Sequence, residues 1–525
     1  MLTATPLPFR VWASGGLALG IVLALTLGAL VVVASRAVEV SGLTTPDLRA
    51  LRFTLMQAFL SALISVALAI PLARALARRR FPGRDLLTTL LGAPFLLPVI
   101  VAIVGVIAVW GRSGWVSDTL VWLGFSPINV YGMPGVLIAH VFFNLPLAAR
   151  LILQGYAALP AERWRVAAQL GLEGRALFRL LEWPIIRASA PGAFALVFLV
   201  CVTSFAVALA LGGGPRATTL ELAIYEATAY EFDLGRAALL AGLQFAICAL
   251  AALLAFAVSA PVTAEPGTIG TVERWDGRSA LARTGDALAI GLVCLFLGAP
   301  MLAVLLRGVA GFGGLGVEVL WAALRSLQVA GLATILAVGL ALGLGALVVA
   351  LRGRGSGRAA RLADLAGLLP IAASPFVIGV ALIIVMRGVA DPFAYALGLT
   401  ALVNAAMALP FCLRILIPAL GQAVAEHGRL ADSLGLTGWT RVRALYGGHL
   451  RRPLGFAAGL AAALSVGDLG VIALFSTPDA PTLPLYMHLL AASRQLDAAQ
   501  AAALVLIGLS FGLFWMFDRM GRGRR

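Results

Sequence analysis

The chain has no lysine. That excludes a Walker A phosphate loop, whose lysine contacts the nucleotide phosphates, so this polypeptide cannot hydrolyse ATP by that route. Charge of either sign is scarce, at 12% of 525 residues. Soluble domains carry roughly 25%, so an ordinary soluble fold is excluded as well. The four histidines, His140, His427, His449 and His488, form no His-Glu-x-x-His pair and lie far apart in sequence, which leaves no zinc, haem or catalytic-histidine pattern. Cys201, Cys248, Cys294 and Cys412 show no Cys-x-x-Cys spacing and fall within apolar runs. They read as small buried apolar residues, not as disulfides or metal ligands.

Apolar residues make up 61% of the chain. Runs long enough to cross a hydrocarbon core about 30 Å thick occur at residues 11–33, 53–73, 86–110, 134–153, 188–211, 237–260, 287–306, 327–351, 365–386, 393–417, 454–475 and 498–517. No alternation at period two accompanies them, and backbone groups in lipid must be satisfied within the segment, so the expected fold is all-α and polytopic. The first run is longer than a signal-peptide core and only Arg10 precedes it; it reads as a retained helix.

The net charge of +15 comes from arginines clustered between the runs, with no basic face or nucleic-acid module. With the N-terminus inside, 27 of the 39 arginines fall on the cytoplasmic side and 10 on the other, and Arg150 and Arg414 lie within runs. This bias predicts cytoplasmic termini in a bacterial inner membrane. The fourth run contains His140, Asn144 and Pro146, and the tenth Asn404, Pro410 and Arg414, where prolines kink a helix or mark a break near a pathway.

A charged island, residues 161–184, interrupts the apolar pattern. It returns 264 positions later at 425–448: Ala161, Glu162, Arg165, Ala167, Leu170 and Gly171 match Ala425, Glu426, Arg429, Ala431, Leu434 and Gly435. The same shift relates Pro146 to Pro410, Arg150 to Arg414 and Asp233 to Asp497. One constant offset over so many positions is a duplication. It divides the chain into halves 1–260 and 287–525, joined by a Pro-, Gly- and Thr-rich linker, 261–286. Each island is expected to be two short helices joined where Gly171 or Gly435 takes positive φ.

The islands resemble the cytoplasmic coupling loop of ABC-importer permeases, whose consensus runs Glu-Ala-Ala, three residues, Gly, and on to a closing Pro. Ala167, Gly171 and Pro184 fall in register; Arg165 and Arg429 stand at the consensus Glu, and Gly448 at the closing Pro.

One ionisable residue lies deep in a run, Asp468, and the duplication places Ser204 at its counterpart. An intramembrane carboxylate marks a functional pathway or a packing pair, and here it favours a cationic or hydrogen-bonding solute. The stretch 211–240 reads as a glycine-rich loop entering a short interfacial helix, with Glu221, Glu226, Glu231 and Asp233 as an acidic outer face suited to a soluble external protein. Its string Gly212-Gly-Gly-Pro-Arg-Ala-Thr-Thr-Leu-Glu-Leu-Ala-Ile-Tyr225, together with 464–475 and 482–486, is similar to thiamine ABC-transporter permeases over nearly the whole chain.

That resemblance implies about twelve membrane helices in two six-helix halves and no catalysis on the chain itself. The expected partners are an ATP-binding subunit in two copies, carrying ATP and Mg, and an external solute-binding protein. It casts Glu162, Arg165, Ala167, Gly171, Glu426, Arg429, Ala431 and Gly435 as coupling residues, with Ser204 and Asp468 lining the pathway, and thiamine and its phosphate esters as cargo. A permease for ferric iron or another small solute would share the islands. A secondary transporter driven by protons through Asp468 is a separate alternative.

Overall fold

A backbone group left unpaired in lipid costs several kcal/mol, so a chain this apolar closes its hydrogen bonds within each segment. The computed structural model describes residues 9–37, 42–91, 97–212, 214, 217–258, 274–436, 438–475 and 480–522; among them helices dominate and no strand occurs. The first half contains α1 (Val11–Ala37), α2 (Thr45–Arg78), α3 (Val99–Trp110), α4 (Met133–Ala157), α5 (Ala161–Gln169), α6 (Trp183–Val202), α7 (Phe205–Leu211), α8 (Leu220–Ala229) and α9 (Leu234–Val258). The second contains α10 (Ala280–Gly311), α11 (Glu318–Gly353), α12 (Pro375–Met386), α13 (Ala396–Ser433), α14 (Gly438–Tyr446), α15 (Arg451–Val466), α16 (Gly470–Phe475), α17 (Leu483–Ala492) and α18 (Leu496–Arg522).

Ten segments among the described residues are long and apolar enough to span a membrane, and an eleventh is a pair, Gly357–Ala373 and α12, bent by 87°. Ser374 and Pro375 make that bend: the pyrrolidine ring forbids the preceding residue a helical conformation, and Ser374 sits at φ 55°. The expected run 454–475 is divided at Gly467–Leu469 into α15 and α16, of 16 and 6 residues. Run 188–211 is divided likewise at Thr203–Ser204. The linker residues 261–273 lie outside the described residues, and α10 starts at Ala280, ahead of the apolar run that announced it.

The two halves interlock. The first helix of each leans on the other half: α1 packs along α11, and α10 along α2 and α3. Small residues permit the approach, since a Cβ on Gly15 would stand 2.6 Å from Leu347 and one on Gly105 2.8 Å from the Pro300 carbonyl. The ends of the repeated short helices match as well. The N–H of Leu220, opening α8, donates to the Thr54 hydroxyl at 2.8 Å, and that of Leu483, opening α17, to the Ser326 hydroxyl at 2.9 Å.

Three large apolar clusters and a small fourth one, Ala108 and Val109 against Ala303, fill the bundle. The largest joins both halves, with Phe205 and Leu211 against Phe376 and Phe475. Nearer the islands lie two distinct clusters: Leu72, Leu145 and Leu177 of the first half with Val293 of α10, and Leu344, Leu413 and Leu416 of the second half with Ala18 and Val22 of α1. One shared cluster thus joins the halves at the end away from the islands, and two distinct clusters, each completed by the first helix of the other half, lie at the island end.

Candidate functional site

The islands carry the same pattern of exposure. Glu162 and Arg165 face outward, as do Glu426 and Arg429, while Ala167 and Ala431 are buried. Gly171 and Gly435 close each first helix at φ 64° and 62°, the left-handed conformation that glycine takes without a Cβ penalty. Each island also exposes two apolar residues one turn apart, Val166 and Leu170 in the first, Leu430 and Leu434 in the second. Exposed apolar residues beyond the apolar runs, paired and repeated, mark a surface suited to being covered. The copies differ in how they begin. Pro160 ends α4 and starts α5 afresh, whereas Val424 at the corresponding place lets α13 run unbroken from the bundle to Ser433.

The first island is braced from beneath. Glu182 has no exposed surface and takes hydrogen bonds from Arg74 at 2.7 Å and Arg274 at 2.5 Å. Arg274 and Arg78 both reach Asp276, at 2.8 and 3.0 Å, and Arg78 and Arg79 continue to Asp286 on α10. The Arg274 guanidinium lies 4.1 Å over the Trp164 ring, and the Trp275 indole N–H donates to the Leu172 carbonyl. Three elements remote in sequence, the end of α2, the exit of the linker and the start of α10, therefore hold this island in place. At the second island His427 and His449, isolated in sequence, come together with ring centroids 4.4 Å apart beside Glu426.

At the fused end stand Ser204 and Asp468, each in the break between two helices. A break frees backbone carbonyls that lipid cannot satisfy, and buried amides take them: Gln57 donates to Cys201 O at 2.8 Å and Gln244 to Val202 O at 3.0 Å. His140 bridges the Ser204 and Ser61 hydroxyls at 2.8 and 3.1 Å. At the matching position, 264 residues on, Asn404 hydrogen bonds to Ser465 at 3.1 Å and to Asp468. The Asp468 carboxylate accepts from Val471 N at 3.2 Å, capping α16. The duplication thus repeats a polar contact between the fourth expected run of each half and the break beside it.

The breaks meet across the boundary between the halves. A Cβ on Gly467 would lie 2.8 Å from Pro98, and one on Gly470 would lie 3.4 Å from the Phe376 ring, 3.5 Å from Phe205 and 3.9 Å from Asp468 Oδ1. The Phe205 and Phe376 rings pack at 4.6 Å.

Two sequence expectations are corrected. Glu221 does not belong to the acidic outer face, which is left to Glu226, Glu231 and Asp233; it is buried in the seam on Ser374 of the other half. Cys294 is exposed on α10, although Cys201, Cys248 and Cys412 are buried as expected.

Apolar spanning helices, two halves in contact at broken helices, and polar side chains at those breaks define a multi-pass membrane permease. No family model matches the chain. It is 40% identical to the thiamine transport system permease protein ThiP of Brucella abortus, over all of this chain and 99% of that protein. Against the protein of the same name in Escherichia coli the identity is 41%, over 89% of this chain and 88% of the relative. A sulfate transport system permease protein of Synechococcus elongatus is 26% identical over 39% of this chain and 73% of its own length. The chain belongs to the family of thiamine transport system permease proteins.

Proposed function

We propose that this chain is the permease subunit of an ATP-driven importer that passes thiamine and its phosphate esters from an external binding protein into the cytoplasm. The observation that carries this reading is the matched pair of helix breaks, Thr203–Ser204 and Gly467–Leu469, meeting between two interlocked halves. A pathway along a two-fold seam needs unpaired backbone and polar side chains at depth, and these breaks supply both. The full-length relatives named for thiamine transport support the cargo.

In this reading the division is 1–260 and 287–525, the island end is cytoplasmic and both termini lie there, in the inner membrane, as the arginine bias favours. Glu162 to Gly171 and Glu426 to Gly435 dock on two copies of an ATP-binding subunit, which holds ATP and Mg. The repeated exposed pairs Val166/Leu170 and Leu430/Leu434 support such a docking surface. Closure of the ATPase pair swings the islands together, and rigid helices carry the motion to the seam. The two distinct clusters at the island end, against one shared cluster at the other, support an inward-facing arrangement in this reading.

The test is uptake of labelled thiamine into proteoliposomes holding the chain with its ATPase, with the binding protein added or omitted. Uptake that requires both ATP and the binding protein establishes the reading. Transport of iron or another solute in place of thiamine keeps the architecture and overturns the cargo, and uptake driven by a proton gradient without ATPase overturns the mechanism.

A further inference from the structure

Glu221 takes no part in the reading above, although it is the more demanding of the two acidic residues at the seam. It is the second residue of α8, with no exposed surface, and only one of its oxygens is matched. The Ser374 hydroxyl, from the second half, donates to Oε1 at 2.7 Å; Oε2 is buried with no hydrogen-bond partner. An unmatched buried carboxylate oxygen is costly, and a group kept in that condition has a use for it.

Its surroundings say which use. Ser374 sits at φ 55° in the 87° bend, a strained conformation for a residue with a side chain, and its hydroxyl also accepts from Phe376 N at 3.3 Å. Phe376 is therefore fixed beside Glu221, with its ring 4.6 Å from that of Phe205. Gly470 faces both rings without a side chain of its own, and Asp468 Oδ1 lies beside the same open position. Two carboxyl groups, one from each half, thus neighbour the same pair of aromatic rings, Glu221 through Ser374 and Asp468 beside Gly470. Among the described residues no arginine forms an ion pair with either carboxyl. When ionised, each carboxyl has room for a cationic complement, and the neighbouring aromatic faces suit one that is flat and apolar around its charge.

We propose that Glu221 and Asp468, with the adjoining Phe205–Phe376 pair, form a binding station for a planar aromatic cation, occupied when the seam parts. The station deepens the transport reading and rests on it: the thiazolium ring shared by thiamine and its phosphate esters is the matching chemistry. Ser374 is a positioning residue, aiming Glu221 through its hydroxyl and Phe376 through its backbone.

The experiment compares the wild-type chain with Glu221→Gln, Glu221→Asp and Asp468→Asn, each assembled with its ATPase and binding protein in proteoliposomes. Thiamine uptake and the thermal unfolding midpoint of the purified complex are read together. Glu221→Gln keeps the shape and the Ser374 contact but removes the charge. The station requires its uptake to fall at least tenfold with the midpoint within a few degrees of wild type, Glu221→Asp to retain several times more uptake than Glu221→Gln, and Asp468→Asn to be impaired. Uptake by Glu221→Gln equal to wild type overturns the station alone, as does equal loss in Gln and Asp variants, which would make the site one of shape rather than charge. A wild-type complex that moves no thiamine overturns the cargo reading and the station with it.

Discussion

Arg274 and Glu182 lie 92 positions apart and meet in a buried ion pair, Nη2 to Oε1 at 2.5 Å, so the exit of the linker is built into the first island. Glu182 accepts from Arg74 on its other oxygen, and Trp164 covers the Arg274 guanidinium. The position equivalent to Glu182 in the second half is Tyr446, which has no carboxylate. The two islands share an outer face and differ in their support.

Glu182→Gln leaves Arg274 and Arg78 without a full counter-charge in a buried place, a loss on the order of 3 kcal/mol. The expected outcome is a lowered thermal midpoint of the purified chain and weakened ATP-driven uptake. Equal midpoints for wild type and Glu182→Gln would show that the brace does not stabilise the island.

Acid should release the same brace. Burial pushes the Asp276 carboxyl up, but the hydrogen bonds and charge of Arg274, with the charges of Arg78 and Arg74, outweigh it and hold the group below its ordinary value. A depressed carboxyl stabilises the fold fully above its unfolded value, about 3.9, and loses that contribution as pH falls through the folded value. The thermal midpoint is expected to be insensitive to Asp276 between about pH 5 and 8, with an acid limb that Asp276→Asn diminishes. An unchanged limb in Asp276→Asn contradicts the assignment.

Gly171→Val and Gly435→Val test the islands as coupling surfaces. A Cβ at either position meets nothing within 4 Å, so the effect is conformational alone. A β-branched residue at φ near 60° costs at least 1–2 kcal/mol and reshapes the turn. The double variant is expected to keep its helix content by circular dichroism and to lose ATP-dependent uptake; normal uptake would remove these turns from the coupling surface.

Gly467→Ala places a methyl group 2.8 Å from Pro98 across the seam, where one of the halves must move. Uptake is expected to fall severalfold, whereas Gly508→Ala, in open space on α18, should be silent. A silent Gly467→Ala would show that the seam tolerates a wedge.

Much of this was legible in the sequence because duplication and charge placement are properties of the linear chain. The offset of 264 relates Ser204 to Asp468 and Gly171 to Gly435; in the structure the first pair both stand in helix breaks, and the second both close a helix at positive φ. The helix breaks were hidden, because runs 188–211 and 454–475 are long and apolar enough to read as single spans despite Thr203-Ser204 and Asp468, and the groups that satisfy the first break, Gln57 and Gln244, belong to other helices. The brace was hidden for the same reason: Arg274 gives no local sign of reaching Glu182. Glu221 could have been read differently. It stands five residues from Glu226, about 140° around a helix, so the two could not both face outward. Likewise Val424 in place of Pro160 foretold that the second island continues the helix before it.

The exchange of first helices between halves sets an order for synthesis. The end of α1 precedes the start of α11 by about 280 residues, so at ~5–20 residues per second α1 emerges roughly 15 to 60 s before its partner exists. During that interval lipid alone must cover Ala18 and Val22, which the finished protein buries. A truncated first half would keep that face open, so neither half is a complete folding unit, and the repeat that arose by copying one bundle has become a single object that can be finished only once.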